Sequence, residues 1–146
     1  MVPVFEQVLE QYPKDVKVVF KNFPIRSHKF AMKAAVAALA AARQGKFWEF
    51  YDLLFKNYNR LNDQKIQEIA QAVGLNMEEY EKDKNDPAIK QKVNQDFSEG
   101  RQAGVRGTPT IFINGIRLRD RSLSGFQAAI DKQLQKPGNT ATKPAS

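Results

Sequence analysis

The sequence predicts an α/β fold in which a block of helices separates one early strand from a C-terminal β-hairpin and a last helix. Three observations carry that reading. Residues 16–23 form an apolar, β-branched run closed by Pro24, as a strand would be. Helix caps and helix-ending glycines then punctuate the next 80 or so residues. Finally, Ile111-Phe112-Ile113 runs into Asn114-Gly115, the dipeptide of a two-residue type I′ hairpin, whose central positions both need positive φ.

In chain order, residues 2–12 read as an amphipathic helix with Pro3 in its first turn and Val4, Phe5, Val8 and Leu9 as its apolar face. Pro13 ends it. The strand follows at 16–23. Ser27 is placed to cap a helix reaching Gln44, with Gly45 beyond its end. That helix carries alanine at 31, 34, 35, 37, 38, 40, 41 and 42, so its neighbours can approach closely. Residues 46–58 make a second helix whose aromatics Phe47, Trp48, Phe50, Tyr51 and Phe55 read as buried hairpin packing. Asn62 caps a helix over 63–73 that stops at Gly74. Asn76 and Glu79 have capping-box spacing for a short helix to about Asp83. Asp86-Pro87 opens a helix to about Ala103, and Gly104 ends it. Ile111–Ile113 reads as a strand buried on both faces, opened by Pro109, where a missing N–H is harmless. The second hairpin strand runs to Arg119. Ser122 or Ser124 caps the last helix, with Leu123, Phe126, Ile130 and Leu134 on one face. Residues 136–146, polar and proline-containing, are expected to be a disordered tail.

At 146 residues the chain fits one globular body able to bury roughly two-thirds of its unfolded surface. No stretch approaches the ~18 apolar residues of a membrane span, and residues 1–6 lack the basic and apolar regions of a secretory signal. With no cysteine, structural disulfides and thiolate metal sites are excluded. The net charge of +7 is scattered among acids, and two of the lysines lie in the tail, so no nucleic-acid partner is expected. No cofactor and no metal site is indicated.

The run Gly104-Val105-Arg106-Gly107-Thr108-Pro109-Thr110, its short apolar strand and Asn114-Gly115 resemble the cis-proline loop of thioredoxin-fold proteins. Phe23-Pro24, His28 with Ala31 and Ala34-Ala35, Gln44-Gly45-Lys46-Phe47-Trp48-Glu49 and Gly74-Leu75 resemble, in order and spacing, the pattern of the DsbA-like branch. The resemblance covers nearly all of residues 2–134. It implies an incomplete thioredoxin-like core at 1–26 and 104–135 with a helical insertion at 27–103. It departs at the start: the family's leading strand and Cys-x-x-Cys, whose thiolate sits at a helix N-terminus, have no counterpart here. The chain reads as N-terminally truncated, by an internal methionine start or deliberate shortening.

The resemblance implies a cis Thr108–Pro109 bond, with Thr108 and Pro109 as substrate-binding residues offering main-chain groups to an extended polypeptide. No catalytic residue is assigned, because the cysteine pair is absent. The parent would be a thiol-disulfide oxidoreductase of the periplasm or cell envelope, and this chain redox-inactive. The alternative is a non-enzymatic peptide-binding or chaperone-like module. His28, the single histidine, lacks a nucleophile or carboxylate partner and reads as structural or solvated. Arg117, Arg119 and Arg121 alternate and so share one face, read as a charge-blunted edge. A missing strand between 16–23 and 109–114 would leave unpaired backbone groups, from which a homo-oligomer is expected.

Overall fold

The computed structural model describes residues 2–136. Its helices are α1 (Val2–Gln11), α2 (Ala31–Arg43), α3 (Phe47–Lys56), α4 (Asp63–Ala72), α5 (Met77–Lys84), α6 (Pro87–Gln102) and α7 (Leu123–Leu134), with a 3₁₀ turn at Tyr58–Arg60. Two strands, β1 (Phe112–Ile113) and β2 (Ile116–Arg117), precede α7. The chain divides into two compact units, one of Met1–Phe20 with Thr108–Ser146 and the other of Lys21–Gly107. The expected tail falls outside the described residues except for Lys136, which is exposed. No helix among the described residues is long and apolar enough to cross a membrane.

In the first unit, α1 packs on α7. Val8, Phe126 and Ile130 are buried, with Val4, Phe5, Tyr12, Val16, Ile111, Ile113, Leu118 and Leu123 around them. The Phe5 and Phe126 rings meet edge to face at 5.7 Å, a favoured aromatic geometry. The Tyr12 hydroxyl donates to Asp131 Oδ1 at 2.7 Å. Two residues expected on the apolar faces, Leu9 and Leu134, are instead exposed: the helices meet along Val4/Val8/Tyr12 and Leu123/Phe126/Ile130, a helical step of 100° carries Leu9 past the seam, and Leu134, on the seam's own face, is the last residue of α7. β1 and β2 pair antiparallel, Phe112 opposite Arg117 and Ile113 opposite Ile116. Asn114 and Gly115 take φ of 47° and 79°, as a type I′ turn requires.

Three strand expectations are corrected. No strand forms at 16–23, and the one sheet among the described residues is β1–β2. Burial does alternate, half-buried at 16, 18 and 20 and exposed at 17 and 19. The pleat period is therefore present, but a strand also needs a neighbour for its ladder. Nor is Ile111–Ile113 buried on both faces. Ile111 and Ile113 face the apolar cluster while Phe112, pointing the other way, is 39% exposed, the one-sided burial of an antiparallel pair. The second strand is also shorter than expected, although the Leu118 N–H still donates to the Ile111 carbonyl at 2.8 Å.

The second unit is built on α2, which touches α3, α4, α5 and α6. Ala37, Ala40 and Ala41 are fully buried against Phe50, Leu54, Ile66, Ile69, Tyr80, Ile89 and Val93. Asn62, Asn76 and Asp86 cap α4, α5 and α6, accepting from the N–H groups of Lys65, Glu79 and Ala88, and each such cap is worth about 1 kcal/mol. Gln44 joins α2 to the start of α5: its Oε1 accepts from the Asn76 N–H at 2.8 Å and its Nε2 donates to the Asn76 carbonyl at 3.1 Å. Ser27 does not cap α2, which begins at Ala31 with no side-chain cap. Turns closed by His28 N–H to Ile25 O and by Ala31 N–H to His28 O occupy that stretch instead. The aromatics of α3 are not all buried either: Phe50 is, but Trp48 and Phe55 are exposed, because an amphipathic helix has one face to bury.

Asp96 is the buried ion of this unit, 2% exposed. Its carboxylate accepts from the Asn22 N–H (3.0 Å), the Asn22 side-chain amide (3.1 Å) and Lys92 Nζ (2.8 Å). Burial alone would raise its pKa, but the bonds from Asn22 and Lys92 outweigh it and hold the group below its ordinary 3.8. Asp96→Ala should therefore cost about 2–3 kcal/mol in urea unfolding at pH 7, since it strands the buried Asn22 donors. An acid whose folded pKa is depressed stabilises above its unfolded pKa. The Asp96 contribution should thus be full above pH ~4 and fade as the pH falls further, so that wild type and variant converge in acid.

Tyr80 is fully buried against Phe50, and its hydroxyl has no hydrogen-bond partner among the described residues. Tyr80→Phe should be neutral or stabilising by up to about 1 kcal/mol at pH 7, because an unsatisfied buried donor is removed. Burial, with the Glu81 carboxylate adding to it, pushes the Tyr80 pKa from 10 up to about 12. A raised folded pKa means the unfolded chain loses its proton first, so stability falls as the pH climbs past 10. The alkaline loss between pH 10 and 12 should be smaller in Tyr80→Phe, as thermal melts would show.

Candidate functional site: the Thr108–Pro109 loop and an arginine-lined hollow

Gly104, at φ 80°, ends α6. The chain then reaches Thr108 and Pro109, joined by a cis peptide bond and both exposed. Pro109 has no N–H, and its carbonyl accepts from Arg121 Nη1 at 3.2 Å. Thr108 differs: neither its main-chain N–H nor its carbonyl makes a hydrogen bond among the described residues. An exposed donor and acceptor pair thus stands open beside a proline surface.

Beside the loop lies an open hollow of about 440 Å³ lined by Pro109, Thr110, Arg117, Leu118, Arg119 and Arg121. The three arginines, read from the sequence as one solvated face, are indeed exposed. What the sequence reading missed is that they share a concavity with Pro109, and that Arg121 reaches back to the loop. The alternation of arginines was the available signal. The fold that returns Arg121 to Pro109 was not, because the two are 12 residues apart.

No carboxylate among the described residues forms an ion pair with Arg117, Arg119 or Arg121. Asp120, between two of them in sequence, is engaged elsewhere. Its Oδ1 accepts from the Ser122 N–H at 2.9 Å, and that bond holds its pKa below the ordinary value. Ser122, not Ser124, caps α7, its hydroxyl accepting from the Gly125 N–H at 3.1 Å. Gly125 presses on Asp120, where a Cβ would overlap the Asp120 carbonyl, so only glycine lets the hairpin exit turn this sharply into α7.

Three uncompensated guanidinium groups suit an anion. No group of three or more His, Cys, Asp or Glu able to hold a metal occurs among the described residues. His28 is exposed in the helical unit, and its main chain serves the turns before α2.

Comparison with known proteins places these features in context. The family described as the DSBA-like thioredoxin domain matches residues 1–131. The chain is 30% identical over 146 residues to a probable disulfide bond formation protein D of Bacillus cereus, covering 92% of this chain and 67% of that protein. It is 33% identical over 116 residues to the Na(+)/H(+) antiporter NhaA 3 of Salinispora tropica, covering 79% of this chain but 18% of the antiporter. It therefore spans about a fifth of such antiporters. A crystal structure of a thioredoxin-like oxidoreductase from Silicibacter pomeroyi superposes with a TM-score of 0.79 at 25% identity, covering 92% of this chain and 78% of that one.

Proposed function

Because the chain belongs to the DSBA-like thioredoxin-domain family, we propose that it is the polypeptide-docking body of a protein-disulfide oxidoreductase, redox-inactive in this cysteine-free form. The open main chain of Thr108 carries the reading. An extended polypeptide laid along the loop would find there one N–H and one C=O free to add to its own, the pairing of β-strand addition. Pro109 contributes a rigid surface, and Arg121 holds the Pro109 carbonyl away from that exchange.

Disulfide exchange itself proceeds by thiolate attack on a disulfide sulfur through a mixed disulfide. With no cysteine in the chain, no residue present can form that bond. The loop would dock and orient a partner, and the parent protein's cysteine pair would do the chemistry. The setting proposed is the periplasm or cell envelope, where protein disulfides persist. Ion transport is not part of the proposal. The aligned stretch is 18% of the antiporter, and no helix among the described residues is long and apolar enough to cross a membrane.

The test is restoration. The chain as it stands should leave a disulfide-bonded model peptide unchanged in a thiol-release assay. The same chain extended by a leading strand and Cys-x-x-Cys should oxidise or reduce that peptide. A restored protein that folds but remains inert would overturn the assignment.

A further inference from the structure

The hollow beside Pro109 holds more positive charge than docking a strand requires. Arg117, Arg119 and Arg121 line it together, none has a carboxylate partner among the described residues, and Asp120 is spent on the turn into α7. Charges that merely blunt a strand edge need not converge, whereas these surround one concavity that also includes the docking loop. Arginine is also the cation suited to this position, since its planar fork meets a carboxylate through two parallel N–H···O bonds.

Resting on the docking reading above, we propose that the hollow selects acidic polypeptide, with Arg117 and Arg119 receiving carboxylates two residues apart on an extended segment while Arg121 braces the loop. The spacing supplies the register. Alternate residues of extended chain lie about 6.6–6.8 Å apart and share a face, so arginines at i and i+2 match acids at i and i+2 of a strand beside them. Arg117 also sits opposite the half-exposed ring of Phe112, which offers an apolar neighbour to the residue flanking an acid. The preferred partner is then an acid-x-acid segment with an apolar flank, and basic segments are excluded by like charge.

Fluorescence anisotropy with labelled extended heptapeptides tests this on the chain as it exists. One peptide carries Asp-Val-Glu at its centre and a second Ser-Val-Ser. At low ionic strength the acidic peptide should bind about tenfold more tightly, a preference that shrinks to about twofold near 0.5 M salt, as expected for exposed ion pairs. The Arg117→Gln/Arg119→Gln variant should lose the preference, while Lys82→Gln/Lys90→Gln, which removes the same charge from the helical unit, should keep it.

Equal binding of both peptides would overturn the selection and leave the docking reading standing. Binding of neither would overturn both. Loss of the preference in the lysine variant as well would assign it to net charge and not to the hollow. A single-stranded oligonucleotide that displaced the acidic peptide at lower concentration than the unlabelled peptide itself would overturn the polypeptide assignment.

Discussion

Four helices can share one neighbour only if that neighbour is thin, and the helical unit rests on this constraint. The buried face of α2 is alanine, with Ala37, Ala40 and Ala41 at the centre, so α3, α4, α5 and α6 all reach its backbone. The bulky residues come from the partners: Phe50, Leu54, Ile66, Ile69, Tyr80, Ile89 and Val93. Replacing one of these alanines by a larger residue would displace several helices together, since dense interiors do not absorb added methylenes freely. The same economy appears at α6, where the Phe23 ring lies on Gly100 so closely that a Cβ there would come within 2.8 Å of it. Small residues on one element make room for aromatic ones on another.

What could be read from sequence divides along how local the physics is. Caps are settled within three or four residues, and Asn62, Asn76, Asp86 and Ser122 all accept the N–H groups their positions implied. The Asn114-Gly115 turn is equally local. Ser27 failed because a turn over Ile25–His28 competes for the same residues, and cap chemistry cannot reveal that competitor. Residues 16–23 failed for a different reason. Their apolar pattern reports a pleat, while strandedness depends on a ladder partner elsewhere in the chain. Leu9 and Phe55 show the remaining limit: hydrophobicity marks which residues could be buried, and helix rotation decides which are.

The site shows the same division. The cis bond between Thr108 and Pro109 was legible from a short motif, because the loop is defined by consecutive residues. The alternation of Arg117, Arg119 and Arg121 was legible as a shared face. Their convergence on Pro109 was not, since it depends on Arg121 folding back across 12 residues to the Pro109 carbonyl. The unbonded main chain of Thr108 was likewise invisible, because a donor or acceptor is left open only by the arrangement of everything around it.

A thioredoxin-like fold without a thiol separates two properties that the family normally combines. Reactivity resides in the thiolate, which a helix N-terminus and its amides stabilise, and this chain has no group that can replace it. The recognition proposed above would reside in main-chain hydrogen bonds and in surface charge, and neither needs sulfur. Thr108 keeps its N–H and C=O open, Pro109 keeps its surface, and the arginines keep their charge whether or not a cysteine pair stands nearby. The two properties also differ in strength. A strand held by one residue's main-chain pair and by exposed ion pairs binds weakly, each such contact contributing about 1 kcal/mol or less. Weak docking suits an exchange protein, which must release its partner once a disulfide has formed or moved. Under the docking proposed above, binding is therefore the property to measure in this chain, with no covalent mixed disulfide to mask it.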